Sequence, residues 1–119
     1  MSKFVTTTYG NRKGILKFPD HYVTIPITVD NTGVTANADG KKIVPAGTIM
    51  GGGVISDATK LAVKKNDVGA EGVLFNDVDV TYGPAPGALL IHGYIDLAKI
   101  PEAPVTAAAT ALKQITFIA

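Results

Sequence analysis

Cysteine is absent from this chain of 119 residues. That excludes disulfide staples, thiolate metal sites and cysteine nucleophiles. Charge is scarce: 18% of residues are charged, and the formal net charge is +1. One arginine, no dense basic stripe and no stacking-aromatic motif make nucleic acid a poor partner. Lys3, Arg12, Lys13 and Lys17 fall within the first twenty residues without an apolar h-region, so no secretory signal is visible. The densest aliphatic run, Ala88 to Ile91, stops at His92, far short of a membrane span. The expectation is a soluble chain made in a cytoplasm, with no membrane partner.

Glycine and proline are plentiful, with 13 and 7 residues against a usual combined share of ~12%. Many turns and few long helices follow. Apolar content of 46% is ordinary for a globular chain, and the length predicts one domain. Residues 1–65 carry nine cations and four anions, whereas residues 66–119 carry two cations and six anions. Such asymmetry is ordinary surface charge once folded, or a basic front half meeting an acidic surface on a copy or a partner.

Hydrophobic periodicity predicts a mainly β chain with one short C-terminal helix. Val5 to Tyr9 is β-branched and aromatic, hence a good strand former. The polar stretch Gly10 to Gly14 follows it, so it has no obvious hairpin partner. A lone strand former of this kind is an edge strand of its own domain, or it borrows a sheet edge from another chain. Tyr22 to Val29 alternates, with Val23, Ile25, Ile27 and Val29 on one face, and Pro26 marks a sheet edge or a bulge.

Asp30 to Gly33 and Ala38 to Gly40 read as turns. In Pro45-Ala46-Gly47 the proline suits turn position i+1 and the glycine a positive φ. Thr48 to Met50 is extended, Gly51 to Gly53 a flexible connector, and Leu61 to Lys65 a short strand. Val73 to Val80 reads as one strand, Gly83 to Gly87 as a loop, and Ala88 to Asp96 as its antiparallel neighbour. Beyond Pro104, the alanine-rich Val105 to Lys113 predicts a helix burying Val105, Ala108 or Ala109, and Leu112. Ile115 to Ile118 closes the chain as a strand.

The catalytic inventory is thin, and no catalytic, cofactor or metal residues are assigned. Ser2 and Ser56 lack a nucleophile-elbow context. His92 and Asp96 share a strand face but sit ~13 Å apart, too far to pair directly. Asp77 and Asp79 put two carboxylates on one face, short of the six to eight oxygens calcium takes. Gly51 to Gly53 precedes neither Gly-Lys-Ser/Thr nor a clear helix, so a phosphate cradle is not indicated. Gly93-Tyr94-Ile95-Asp96 is similar to a Gly-x-Ile-Asp stretch of deoxyuridine triphosphatases, whose Arg and Ser-rich phosphate-binding motifs are missing here.

Ile43 to Thr48, Gly69 to Leu74 and Asp77-Val78-Asp79 belong to a longer ordered series. It continues through Ala85-Pro86-Gly87, His92 to Asp96, the alanine helix and Ile115 to Ile118. In that order, over roughly residues 40–119, the chain resembles the lambda-type head-decoration proteins of tailed bacteriophages, which stabilise capsids. The resemblance implies a β-clip-like single domain and a homotrimer on the outside of an expanded phage or prophage head. It further implies a flexible N-terminal arm over residues 1–20 that orders on docking and donates a strand to the major capsid protein, with residues 21–119 as the decoration domain. Phe4, Val5, Thr6, Thr7, Thr8 and Tyr9 are then the capsid-binding arm, and no cofactor is required. Two other readings stand beside it: a head-fibre base or carbohydrate-binding adhesin domain, for which Tyr9, Tyr22, Tyr82 and Tyr94 speak, and a β-clip-type hydrolase with a cross-subunit active site.

Overall fold

One strand organises the molecule. The computed structural model describes residues 15–18 and 21–119, and its eight strands are arranged about the seventh. These are β1 (Val23–Val29), β2 (Ile43–Val44), β3 (Ile49–Gly51), β4 (Val63–Lys64), β5 (Ala70–Leu74), β6 (Val78–Asp79), β7 (Ala85–Asp96) and β8 (Ile115–Ile118). A single short helix, α1 (Thr106–Ala111), precedes β8. The chain is therefore mainly β with one short helix near its C-terminus.

Strand order in the main sheet is β1-β7-β5-β3-β4, with β8 joined to β7 as well. The twelve residues of β7 are long enough to carry two neighbours in succession along each edge. Along one edge runs antiparallel β1, from Val29 opposite Ala85 to Val23 opposite His92, and then Leu16 opposite Ile95. Along the other run antiparallel β5, with Val73 opposite Leu90, and then parallel β8, with Gly93 opposite Ile115. The sheet curls until its far edge returns to its first strand. The Ala62 amide donates to the Thr28 carbonyl at 2.8 Å, and the Ala62 carbonyl accepts from Asp30 at 2.9 Å. Those two bonds satisfy an edge of β1 that would otherwise face water or another chain.

Period-2 alternation then makes two cores. Ile27, Val29, Met50, Leu74 and Leu89 point inside the curl, where β2 and β6 pair as a ribbon and add Val44, Val78 and Val80. The intervening residues Ile49, Val73 and Leu90 point outward and are covered by Ala108 and Leu112 of α1, Ile115 of β8 and Ile15. Leu89 and Leu90 are both fully buried, each on its own side. Either side chain gains ~1.5–3 kcal/mol by leaving water. The helix has six residues and no side-chain N-cap, since Val105 occupies that position. A helix so short draws its stability from packing, and Ala108 at zero exposure supplies the close contact.

The structure corrects several sequence expectations. Val73 to Val80 is two strands, because the chain leaves the main sheet after Phe75, whose amide still donates to the Ala88 carbonyl at 2.9 Å, to join the ribbon. Asp77 fixes that break by accepting from the Ala46 amide at 2.7 Å. The segment Gly83 to Gly87 is not wholly a loop, since β7 begins at Ala85. Gly87 suits a strand here: a Cβ on it would sit 2.9 Å from Val78 and 3.2 Å from Val29. Pro45 occupies turn position i rather than i+1, because its carbonyl accepts from the Thr48 amide while Gly47 takes φ +89°. Val105 is exposed at the helix start instead of lying on the buried face.

The three glycines Gly51 to Gly53 are also not a loose connector. Gly51 is a buried residue of β3, and Gly52 and Gly53 adopt φ of +112° and +82°. That conformation turns successive amides inward, as in an anion-binding nest. The anion is internal. The Glu71 carboxylate accepts from the amides of Gly53, of Val54 at 3.0 Å and of Ile55 at 3.1 Å. Eighteen positions separate Glu71 from Gly53, so local patterning gives no sign of it.

Candidate interaction surface beside the N-terminal segment

Ile15 is 1% exposed, an apolar plug in the outer core. Its carbonyl accepts from the Asp96 amide at 2.8 Å, and the Lys17 amide donates to the Tyr94 carbonyl at 2.8 Å. Residues 15–17, which the sequence places in the arm, are thus built onto the edge of β7. Phe4, Val5, Thr6, Thr7, Thr8 and Tyr9 lie outside the described residues. The described residues begin at Ile15, at the Asp96 end of β7.

Three ring pairs surround that junction. Phe18 meets Tyr94 edge-on at 5.6 Å, His21 meets His92 edge-on at 4.8 Å, and Tyr22 stacks on Phe75 at 5.2 Å. These are favourable aromatic geometries, worth ~0.5–1.5 kcal/mol per pair beyond area burial. Gly93 makes the arrangement possible. Its φ is +155°, and a Cβ there would lie 3.3 Å from the Tyr22 Cβ. Beside it, the β1–β7 register shifts between Val23 and Thr24, opposite His92 and Leu90. A bulge of this kind bends a strand and re-aims its side chains. Phe18 and Tyr22 remain about half exposed, and Val23 joins them at 48%.

The other residues singled out from the sequence have local tasks. His92 Nδ1 lies 3.0 Å from the Gln114 carbonyl, tying β7 to the turn before β8. Asp96 accepts from the Ala98 amide and caps the short 3₁₀ turn Leu97–Lys99, so it does not orient His92. Asp77 and Asp79 are not aimed at a common point. Asp79 accepts from the Thr81 hydroxyl and from the Thr81 amide at 2.9 Å. The hydroxyl bond first, and the amide bond after it, hold its carboxyl below the ordinary aspartate value. Ser56 donates to the Gly53 carbonyl at 3.3 Å within the nest loop. Among the described residues no group of three or more His, Asp or Glu is gathered where it could hold a metal ion.

A concavity of about 400 Å³ lies between the 30–34 turn, β2, β3 and residues 101–102. Val34, Ile43 and Met50 line it, and Lys64 pairs with Glu102 at 2.8 Å on its rim. Both partners of that pair are more than half exposed, so it adds little stability. Tyr82 is fully exposed on the turn before β7, at the opposite end of that strand from Tyr94. Among the described residues, Tyr82 therefore does not share a stacking platform with Tyr94.

Sequence reasoning missed Phe18, His21 and Phe75 as members of a surface cluster. The density of rings at Phe18, His21 and Tyr22 is the signal that was there to be read. Phe75 joins them only through tertiary folding. Compared with known protein families and with curated proteins, the chain matches no family and no curated sequence.

Proposed function

We propose that this chain is a structural, non-enzymatic virion protein: a homotrimer on the outer surface of an expanded phage or prophage head, which it stabilises. The observation that carries the reading is the anchoring of residues 15–17 on β7, a polar stretch of residues 10–14 after the strand-forming sequence of residues 4–9. A tether fixed at one end by a buried isoleucine and two backbone hydrogen bonds suits strand donation. Backbone bonds from residues 4–9 to a sheet edge of the major capsid protein supply affinity, and the alternate side chains Val5, Thr7 and Tyr9 supply register. The ordered series of motifs over residues 40–119 supports the same assignment.

The mechanism is clamping. A protein that binds only the expanded lattice adds its binding free energy to that state, ~2.7 kcal/mol per site at a hundredfold excess over Kd. Summed over many sites, this resists the outward pressure of packaged DNA. The test adds purified protein to expanded, undecorated heads and follows their disruption temperature. Saturable binding with a raised temperature is expected; no binding at micromolar concentration refutes the reading. Removal of residues 1–14, which spares Ile15, is expected to abolish docking while leaving the trimer folded.

The full exposure of Tyr82 on a turn favours a second reading, a carbohydrate-binding adhesin domain or head-fibre base. A glycan array separates the two, since capsid cement binds no sugar.

A further inference from the structure

His21 and His92 are the only two imidazoles of the chain, and the fold sets them against each other. The sheet fixes both of their backbones. Val23, two residues after His21, pairs with His92, and Gly93 lets residue 21 come close: a Cβ on that glycine would lie 3.6 Å from the His21 carbonyl oxygen. The neighbouring ring pairs Phe18–Tyr94 and Tyr22–Phe75 are carbon rings, whereas each neutral imidazole carries a nitrogen lone pair. His92 Nδ1 lies 3.0 Å from the Gln114 carbonyl, which can only accept. Nδ1 therefore holds the proton, and Nε2 holds the lone pair. A backbone carbonyl behind one ring nitrogen is the arrangement that orients metal-ligating histidines through the other.

His21 is exposed, and among the described residues no hydrogen bond holds its ring. Its χ2 torsion is soft, so the ring turns about the Cβ–Cγ axis while its centroid stays nearly in place. A ring nitrogen ligates zinc at about 2.0–2.1 Å, which puts the ion about 3.2 Å from the ring centroid. Two rings on one ion then have centroids about 4.5 Å apart at a right angle and about 5.2 Å apart at the tetrahedral angle. The observed separation of 4.8 Å falls between these values, with the ring planes 82° apart. We infer that His21 and His92 together bind a divalent transition ion of the zinc, copper and nickel class, through His92 Nε2 and one nitrogen of His21. Imidazole suits those ions, whereas calcium and magnesium take oxygen donors. No third His, Asp or Glu among the described residues completes the set, so water fills the remaining positions and the ion is exchangeable. Bound there, the ion clips the entry of β1 to β7 beside the register shift between Val23 and Thr24. Such binding is independent of whether the protein decorates a capsid.

The test uses the untagged full chain, with Zn²⁺ followed by titration calorimetry and by melting temperature. One ion per chain is expected, with a melting temperature raised by at least about 3 °C at saturation and restored by a chelator. Mg²⁺ at the same concentration leaves the melting temperature unmoved. His21→Ala is the deciding variant, because the ring it removes is exposed and the His92–Gln114 tie is kept. It is expected to melt like the unaltered protein without metal and to bind Zn²⁺ at least about tenfold more weakly. His92→Ala is expected to weaken binding at least as much. Substoichiometric Cu²⁺ locates the ion by NMR, broadening the signals of His21, His92 and their neighbours first. Equal Zn²⁺ affinity in His21→Ala and the unaltered protein overturns the inference. So does an unaltered protein that takes up no Zn²⁺, or Cu²⁺ broadening centred away from the two rings.

Discussion

Replacing Glu71 with alanine is expected to cost this small domain a large part of its stability. Its carboxylate accepts from three consecutive amides, those of Gly53, Val54 and Ile55. Hydrogen bonds to a charged group contribute ~1.5–3 kcal/mol each, and stranding a buried donor costs ~1–3 kcal/mol. The Ile55 bond is exposed, so water replaces it at little cost; those of Gly53 and Val54 are partly buried. Two bonds therefore decide the outcome, and Glu71→Ala is expected to destabilise by about 2–4 kcal/mol. Glu71→Gln keeps one acceptor oxygen for Gly53 and Val54 but turns an NH₂ toward the Ile55 amide, so it is expected to lose about half as much. Urea unfolding followed by circular dichroism measures both, with m checked for constancy. A further sign is chemical rescue: formate raises the melting temperature of the alanine variant more than that of the unaltered protein. An alanine variant within about 0.5 kcal/mol of the parent, or a glutamine variant no better than alanine, refutes the idea that an anion templates this loop.

Three further outcomes follow from other parts of the fold. Leu90→Ala empties a fully buried site between β7 and α1, and is expected to cost about 2–5 kcal/mol in urea unfolding. Gly93→Ala forces a Cβ into a position with φ +155° and 3.3 Å from Tyr22; a loss of about 1–3 kcal/mol is expected, together with a weakened Tyr22–Phe75 stack visible in tyrosine fluorescence. Asp57 and Asp79 are held below their ordinary value of 3.8, chiefly by hydroxyl bonds from Thr59 and Thr81. A lowered carboxyl pKa contributes stability that is complete above the unfolded value and is lost as pH falls through the folded one. Stability is therefore expected to decline below pH 3.8. Thr81→Val moves the Asp79 titration back toward its ordinary value by NMR, and an unmoved titration contradicts the assigned cause.

Strands whose alternation is uninterrupted were legible in the sequence. Of the predicted face Val23, Ile25, Ile27 and Val29, the last three meet the inner core, whereas Val23, beyond the register shift, is exposed. Leu89 and Leu90 take opposite sides, and Ile115 to Ile118 forms the closing strand. What was not legible depends on bonds between distant residues. Asp77 ends a strand that its apolar neighbours would continue, because it reaches an amide 31 positions away. Pro86 and Gly87 look like loop residues until β1 and Val78 are in place beside them. The glycine run appears slack until Glu71 arrives from another strand. The aromatic rim unites rings at positions 18, 22, 75 and 94, which no local window covers. The arm residues 4–9 are assigned from strand propensity and resemblance alone.

The junction at Ile15 also decides how the domain bears load. Residues 15–17 lie antiparallel to β7, so tension applied lengthwise at Ile15 strains both of their backbone bonds at once instead of peeling them singly. The force passes directly into the longest strand, whose neighbouring leucines are seated in separate cores. A pull at Ile15 is thus passed to the strand that both cores hold.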